Sequence, residues 1–294
     1  MRVTQSMITE AFIRNLSQNL RRLGKKEDML ASGKKVRLPS DDPVSATLAM
    51  RLRDTLLTVE QYTKNTEDAI TWLKSTETAL ANTGEILQRI RELTVYAAND
   101  TLSAEEREMV LDEITQLKHQ LLQEANASHN KKYLFNGYHT DQAPFYIDAM
   151  DGKIKPSVAT SETVDYNIGR SNSIQVNVMG NDVFTDIFLT VEDIEQDLLN
   201  NDSASLSGRL DQLDNAIDTV LKYRSQIGAR INRLEATKTR LEYNNIDYTE
   251  LLSKTEDVDV AKLIMDLKME ENVYRASLAV GARIIQPTLV DFLR

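Results

Sequence analysis

The chain has 294 residues, no cysteine and a formal net charge of −10 at pH 7. The lack of cysteine excludes disulfides and thiolate metal sites, and an acidic chain without a long basic tract lacks the clustered Lys and Arg that nucleic-acid phosphates require. Helix formers and polar residues dominate, with only 10 Gly, 5 Pro and 6% aromatic residues, so a mainly helical fold is expected.

The N-terminal segment carries the first predicted helix. Apolar residues recur at steps of three and four from Ile13 to Leu30, which predicts an amphipathic helix that ends near Gly33. Glu10 and Arg14 interrupt any apolar core of a cleaved signal peptide, and no run of about 18 apolar residues occurs in the sequence. We therefore expect no membrane insertion, and export would need a dedicated machine that does not cleave a signal.

The segment Pro39-Ser40-Asp41-Asp42-Pro43 predicts the start of a second helix. A small acidic residue can accept the free N–H groups of a helix start, and proline fits the first turn. Apolar periodicity then continues to about Ala98. Ser103 and Glu106 form a capping box, which predicts a third helix over residues 103–129.

The middle of the chain differs from both ends in its periodicity and in its turn residues. Between Tyr133 and about Thr190 helical periodicity disappears and turn dipeptides such as Asn136-Gly137 occur. Apolar and polar residues alternate over 164–168 and 174–178, which predicts two short strands. This segment is expected to be a small β-rich insertion.

The longest periodic pattern runs over residues 206–252. Steps of three and four persist for some six heptads without a proline, which predicts a long helix packed along other long helices. Polar residues interrupt this seam at Arg224, Lys238 and Asn245. Such polar seam positions favour a single register.

A last helix is predicted from about Val260 to Ile284, and Pro287 limits its extension. A terminal helix joined to the body by a short segment is marginal alone and gains stability by packing in an assembly. We therefore expect Leu213 to be buried within the chain, whereas Leu20 and Leu267 meet their partners mainly after assembly. The residues predicted to bind partners are Ile13, Leu16, Leu20, Leu23, Leu30, Leu263, Leu267, Tyr274, Leu278, Ile284, Leu289 and Phe292.

The candidate catalytic and metal-binding residues do not form a recognisable site. Its histidines, His119, His129 and His139, are ten residues apart, which fits neither a zinc-binding pair on a helix nor a short ligand loop. Asp41 and Asp42 are adjacent carboxylates, but adjacent side chains diverge and a helix cap explains them. No glycine-rich phosphate loop or nucleophile elbow occurs. We predict no catalytic residue, no cofactor and no metal site, and hence no enzyme.

Both ends of the chain carry specific motifs. The N-terminal motifs are Met1-Arg2-Val3-Thr4-Gln5 and Ser32-Gly33-Lys34-Lys35-Val36-Arg37-Leu38-Pro39-Ser40-Asp41-Asp42-Pro43. Further motifs are Ala97-Ala98-Asn99-Asp100-Thr101-Leu102-Ser103, Tyr133-Leu134-Phe135-Asn136-Gly137, Tyr274-Arg275-Ala276-Ser277-Leu278 and Leu289-Val290-Asp291-Phe292-Leu293. Together they resemble the flagellar hook-filament junction proteins, also called hook-associated protein 3, of the bacterial flagellin superfamily. Pro287 stands where that family would have Ser or Thr.

The resemblance implies a structural subunit of the bacterial flagellum that is secreted through the flagellar type III pathway. It implies a homo-oligomeric ring that binds the other hook-associated junction protein below and flagellin above. A cytosolic chaperone would hold the C-terminal helix before export. No nucleic acid is among the implied partners.

The implied fold is mainly α, a long antiparallel helical rod or coiled-coil bundle formed by the N- and C-terminal halves, with a small β-rich inserted domain. We predict that residues 1–42 and 256–294 form an inner-tube assembly domain. Residues 43–132 and 200–255 would form a long-helix rod domain. Residues 133–199 would form the outward-facing β-rich insertion.

Two other functions remain open at the level of sequence. A flagellin, the filament subunit, would have the same architecture, although the Pro39–Pro43 motif and Asp291-Phe292-Leu293 favour the junction protein. A cytosolic coiled-coil scaffold protein would account equally well for the seam over 206–252.

Overall fold

The computed structural model describes residues 5–99, 102–148, 151–157 and 162–285. Helices dominate these ranges, which confirms the predicted mainly α fold with a small β region. The helices are α1 (Gln5–Ser32), α2 (Pro43–Ala97), α3 (Ala104–Ala125), α4 (Gly180–Leu199), α5 (Ser203–Glu256) and α6 (Val260–Ile285).

The strands form three separate antiparallel hairpins. Their members are β1 (Ser128–His129) with β2 (Lys132–Tyr133), β3 (Phe145–Ile147) with β4 (Ile154–Pro156), and β5 (Asp165–Gly169) with β6 (Asn172–Gln175). The last hairpin confirms the strand predicted over 164–168, whereas the strand predicted over 174–178 lies earlier, at Asn172–Gln175. β6 ends at Gln175, and beyond it the Asn177 side chain accepts a hydrogen bond from the Val164 N–H at 2.9 Å.

The helix boundaries follow the capping signals of the sequence. Gly33 has φ +69°, the left-handed conformation that ends α1. Ser103 and Glu106 make the predicted capping box at the start of α3. α3 ends earlier than predicted, at Ala125, because the next residue turns away to pair with β3. The Asn126 amide bonds both the N–H and the carbonyl of Phe145 at 3.0 Å.

The chain divides into two compact units. One comprises the residues up to Leu57 and from Asn245 onward, and the other is Thr58–Asn244. The β hairpins thus belong to the same unit as most of the two long helices. The three-part division at residues 42, 132, 199 and 255 remains a prediction.

A heptad seam organises the second unit. Every seventh residue of α5 from Leu206 to Leu241 is buried, and the intervening seam positions are half-buried. Short ion pairs join α2 to α5 in this unit, and two of them involve the polar seam residues Arg224 and Lys238. The residue numbers of the α2 partners rise as those of the α5 partners fall, so the two helices are antiparallel. The pairs are Glu67–Lys238 (2.7 Å), Glu77–Arg224 (2.8 Å) and Arg91–Asp214 (2.6 Å).

The α2 side of this seam contains threonines as well as apolar residues. Thr66, Thr76, Thr83 and Thr94 are fully buried, although a buried hydroxyl without a partner is costly. Each hydroxyl donates to the carbonyl four residues earlier, at 2.7–3.0 Å. The hydroxyl groups are therefore hydrogen-bonded within α2. The threonine side chains are small and leave space in the seam for the larger residues of α5.

The expectation that helical periodicity is absent up to Thr190 was wrong from Gly180 onward, where α4 begins. α4 packs against α3 and β4. Its buried face includes Phe184 and Phe188, whose rings contact Phe135 and Phe145 with centroids 5.0–5.9 Å apart. A Cβ at Gly180 would lie 3.0 Å from the Phe135 carbonyl oxygen. Glycine therefore allows the close approach that seats the start of α4.

We predict that Leu213→Ala lowers the free energy of unfolding by about 2–5 kcal/mol, because Leu213 is 0% exposed in the α5 seam and its loss leaves a cavity. Leu221→Ala is the matched control, since Leu221 lies on the same helix but is 50% exposed. Its effect should stay within about 0.5 kcal/mol. Thermal melts followed by fluorescence of Trp72, in the same unit, would measure both. Equal effects would contradict the seam assignment.

Candidate assembly surface on the terminal helices

α1 and α6 pack against each other within the first unit. Their contacts run in opposite directions along the two helices, so the pair is antiparallel. From one end to the other they are Phe12 on Gly281, Asn19 Nδ2 to Ser277 Oγ (3.2 Å), Arg22 to Glu270 (3.9 Å) and Lys26 to Asp266 (3.1 Å). The first and last helices of the described chain therefore form a hairpin-like pair.

Gly281 is a notch that receives the Phe12 ring. A Cβ at this position would lie 2.2 Å from Phe12 Cζ, well inside van der Waals contact. Gly281 is buried although it lies near the end of α6. The ring and the notch together fix how α1 and α6 align at this end of the pair.

The segment between α1 and α2 is held by the two adjacent carboxylates. Asp41 Oδ2 accepts from the Leu38 N–H (3.2 Å), and Oδ1 pairs with Lys25 Nζ (2.8 Å). Asp42 Oδ1 accepts from the Val44 N–H (3.0 Å) and caps α2 as predicted. The ion pair with Lys25 lowers the pKa of Asp41, and the hydrogen bond from the Ser45 hydroxyl lowers that of Asp42.

The predicted partner-binding residues divide by burial. Leu263 and Leu267 are buried, and Leu16, Leu23 and Tyr274 are half-buried. The exposed ones are Ile13, Leu20, Leu30 and Leu278. The Ile284 side chain, Leu289 and Phe292 lie outside the described residues.

The expectation that Leu267 meets its partners mainly after assembly needs correction. Leu267 is 8% exposed in the single chain, whereas Leu20 is 52% exposed. Leu267 lies on the side of α6 that bears the contacts to α1, so the same chain covers it. The spacing of apolar residues cannot tell a partner in the same chain from a partner in another copy.

Further apolar residues on α6 lie away from the α1 contact and are exposed. Their positions follow helical spacing on both flanks of the buried side. They were not among the predicted partner-binding residues, although the same spacing in the sequence marks them. The exposed residues are Val260, Ile264, Met265, Met269, Val273 and Val280.

The described residues contain no group of three or more His, Asp or Glu that could hold a metal ion. His129 Nδ1 lies 3.1 Å from Ser75 Oγ, and its Nε2 lies 3.2 Å from the Asn130 amide nitrogen. That pair has no carboxylate to orient the imidazole as a base. No helix of the described part is long and apolar enough to cross a membrane.

Two family models match the chain at its two ends. The bacterial flagellin N-terminal helical region matches residues 3–140, and the bacterial flagellin C-terminal helical region matches residues 210–293. The chain belongs to the bacterial flagellin family. It is a structural protein of the bacterial flagellum, and the family's two helical regions include the paired helices α1 and α6.

Individual relatives cover nearly the whole chain. The flagellar hook-associated protein 3 of Escherichia coli (strain K12) is 26% identical over an alignment 305 residues long. The alignment covers 94% of this chain and 95% of the relative. The flagellin of Bacillus subtilis (strain 168) is 26% identical over 308 residues, 97% of each chain. Among solved structures, flagellar hook-associated protein 3 from Legionella pneumophila superposes with a TM-score of 0.62. It is 18% identical and covers 70% of this chain and 97% of its own.

We predict that Gly281→Ala destabilises the α1–α6 pair by about 1–3 kcal/mol, because the new methyl group expels the Phe12 ring. Gly24→Ala on α1 is the control. Nothing lies within 4 Å of a Cβ at Gly24, so alanine should stabilise that helix by about 0.5–1 kcal/mol. Rates of limited proteolysis in α1 and α6 would report both. Slower cleavage of the Gly281→Ala protein would refute the notch.

A second prediction concerns acid. The folded-state pKa values of Asp41 and Asp42 lie below the ordinary value of about 3.9, so their stabilising contribution is present above that value. It is lost as the pH falls through the lowered values. Carboxyl chemical shifts in an NMR titration should place both midpoints below those of ordinary aspartates. Asp42→Asn retains a cap but removes its titration, so acid should then weaken the start of α2 less. Ordinary midpoints at both residues would refute the prediction.

Proposed function

We propose that this protein is the adaptor subunit at the hook-filament junction, and that copies of it assemble through the terminal helices. The observation that carries the proposal is the apolar surface of α6, which extends well beyond the side that α1 covers. Apolar side chains that lie together on an exposed helix surface mark a site of protein interaction. In one copy the flanks of α6 face water, and neighbouring subunits would cover them.

α1 has an exposed apolar flank as well. Ile13 and Leu20 lie a heptad apart and are exposed on one flank of α1. Large exposed apolar patches mark sites of protein interaction. The partner-binding residues proposed here are therefore the exposed ones on both terminal helices. Leu263 and Leu267 act indirectly, because they hold α6 against α1.

The junction role in particular rests on the motifs at the two ends of the chain and on the relatives named hook-associated protein 3. The proposed partners are further copies in a ring, the other hook-associated junction protein below and flagellin above. We propose that the chain is exported without cleavage of a signal and that a cytosolic chaperone holds α6 before export. The role is structural and involves no turnover of a substrate.

Flagellin is the second candidate, because flagellins match the chain over similar lengths and at similar identity. The two candidates differ in where the protein sits. A labelled copy should mark one point at the base of the filament if the chain is the junction protein. Label along the whole filament would identify a flagellin and exclude the junction role.

We predict that Leu20→Asp and Met269→Asp leave the melting temperature of the purified chain nearly unchanged, because both side chains are exposed. In cells the same variants should be secreted but fail to form the junction, because a charge is buried against a neighbour. Flagellin would then leak into the medium and the cells would not swim. Secreted amounts and motility would measure these effects.

The matched control is Gln18→Asp, which adds the same charge on the opposite, exposed side of α1. It should be secreted and should support swimming. Normal swimming of both apolar-to-Asp variants would refute assembly through these flanks. Leu267→Asp should lower the melting temperature, because Leu267 is 8% exposed in the single chain. An equal fall in Leu20→Asp and Met269→Asp would show that their side chains are covered within the single chain instead.

A further inference from the structure

The two connections that lead to the terminal helices lie side by side. The Lys35 N–H donates to the Glu256 carbonyl at 2.6 Å, and the Val258 N–H donates to the Gly33 carbonyl at 3.1 Å. Lys34 and Asp257 form an isolated antiparallel bridge between these bonds. The segment after α1 and the segment after α5 thus make a short ladder within the first unit.

A buried carboxylate lies on this ladder. Glu256, the last residue of α5, is 2% exposed. Its Oε2 accepts a hydrogen bond from Arg53 Nη2. Its Oε1 is in ion-pair contact with Lys34 Nζ, but the geometry of that contact is not that of a hydrogen bond. The three charges come from three separate parts of the first unit: the segment after α1, the start of α2 and the end of α5.

We propose that Glu256, Lys34 and Arg53 form an electrostatic latch that closes the ladder and holds the α1–α6 pair to the ends of the long helices. When the latch is closed, the buried carboxylate is compensated by two cations, as a buried charge requires. Lys34 and Arg53 are each about half exposed, so their charges already meet water. Opening hydrates all three groups and leaves no charge buried alone. Opening of the latch would therefore release both hydrogen bonds of the ladder together.

The latch joins residues that are more than 200 positions apart in the sequence. It closes only when the N-terminal and C-terminal segments have come together. Closure therefore marks correct pairing of the two ends of one chain. The proposal concerns the single subunit and is independent of where the subunit sits in a flagellum.

Native-state hydrogen exchange on the full-length purified chain tests the latch. In Glu256→Gln, the amides of Lys35 and Val258 and those of α1 and α6 should exchange about tenfold faster or more than in the unmodified chain. The Trp72 melting transition of the second unit should not move. Glu250→Gln is the matched control, because Glu250 lies six residues earlier on α5 in an exposed ion pair with Lys254. It should leave the exchange of these amides unchanged.

A second variant covers the case in which Glu256→Gln misfolds. Replacing all three charged residues by Met removes the electrostatic latch but fills the site with apolar side chains, which often substitute for a buried ion pair without loss. This triple variant should restore slow exchange at Lys35 and Val258, and its protection should not change with salt. The latch is refuted if Glu256→Gln keeps these amides protected. It is also refuted if the loss of protection extends equally through the second unit.

Discussion

Two helices of 55 and 54 residues stay paired only if every turn of their shared seam is filled without strain. In the second unit α5 contributes a large buried apolar side chain at every seventh residue. The α2 residues of the same core include leucines, alanines and threonines. The threonine hydroxyls are satisfied inside α2, so the seam tolerates them. Residues of α3, of α4 and of the β3–β4 and β5–β6 hairpins belong to the same core.

Much of this architecture could be predicted from the sequence because it depends on local signals. The α5 seam follows from period, the start of α2 from Asp42 and Pro43, and the start of α3 from its capping box. α4 was missed, because it begins in a Gly-Asn-Asp stretch that also suits a turn. The early end of α3 was missed because Asn126 bonds to Phe145, a contact that only the folded chain brings about.

The assembly surface on the terminal helices could be predicted only in part, because it also depends on contacts between distant residues. Periodicity identified apolar sides on both terminal helices, but burial within one chain and burial between copies leave the same pattern. Leu267 faces α1 while Leu20 faces water. The contacts between Glu256 and its two cations depend on residues far apart in sequence, and no pattern in the sequence pairs them. The Gly281 notch is likewise visible only once α1 lies against α6.

The antiparallel pairing of α1 and α6 has a consequence for how the chain can vary. The first unit is made from both ends of the sequence, whereas Thr58–Asn244 is one continuous excursion that leaves and returns through α2 and α5. Residues can be added or removed at a turn inside that excursion without altering the spacing between the two ends. The β1–β2 turn, where Asn130 and Lys131 are both exposed, is such a place. The fold thus separates a part whose length must be kept from a part that can accept a peptide tag or a reporter.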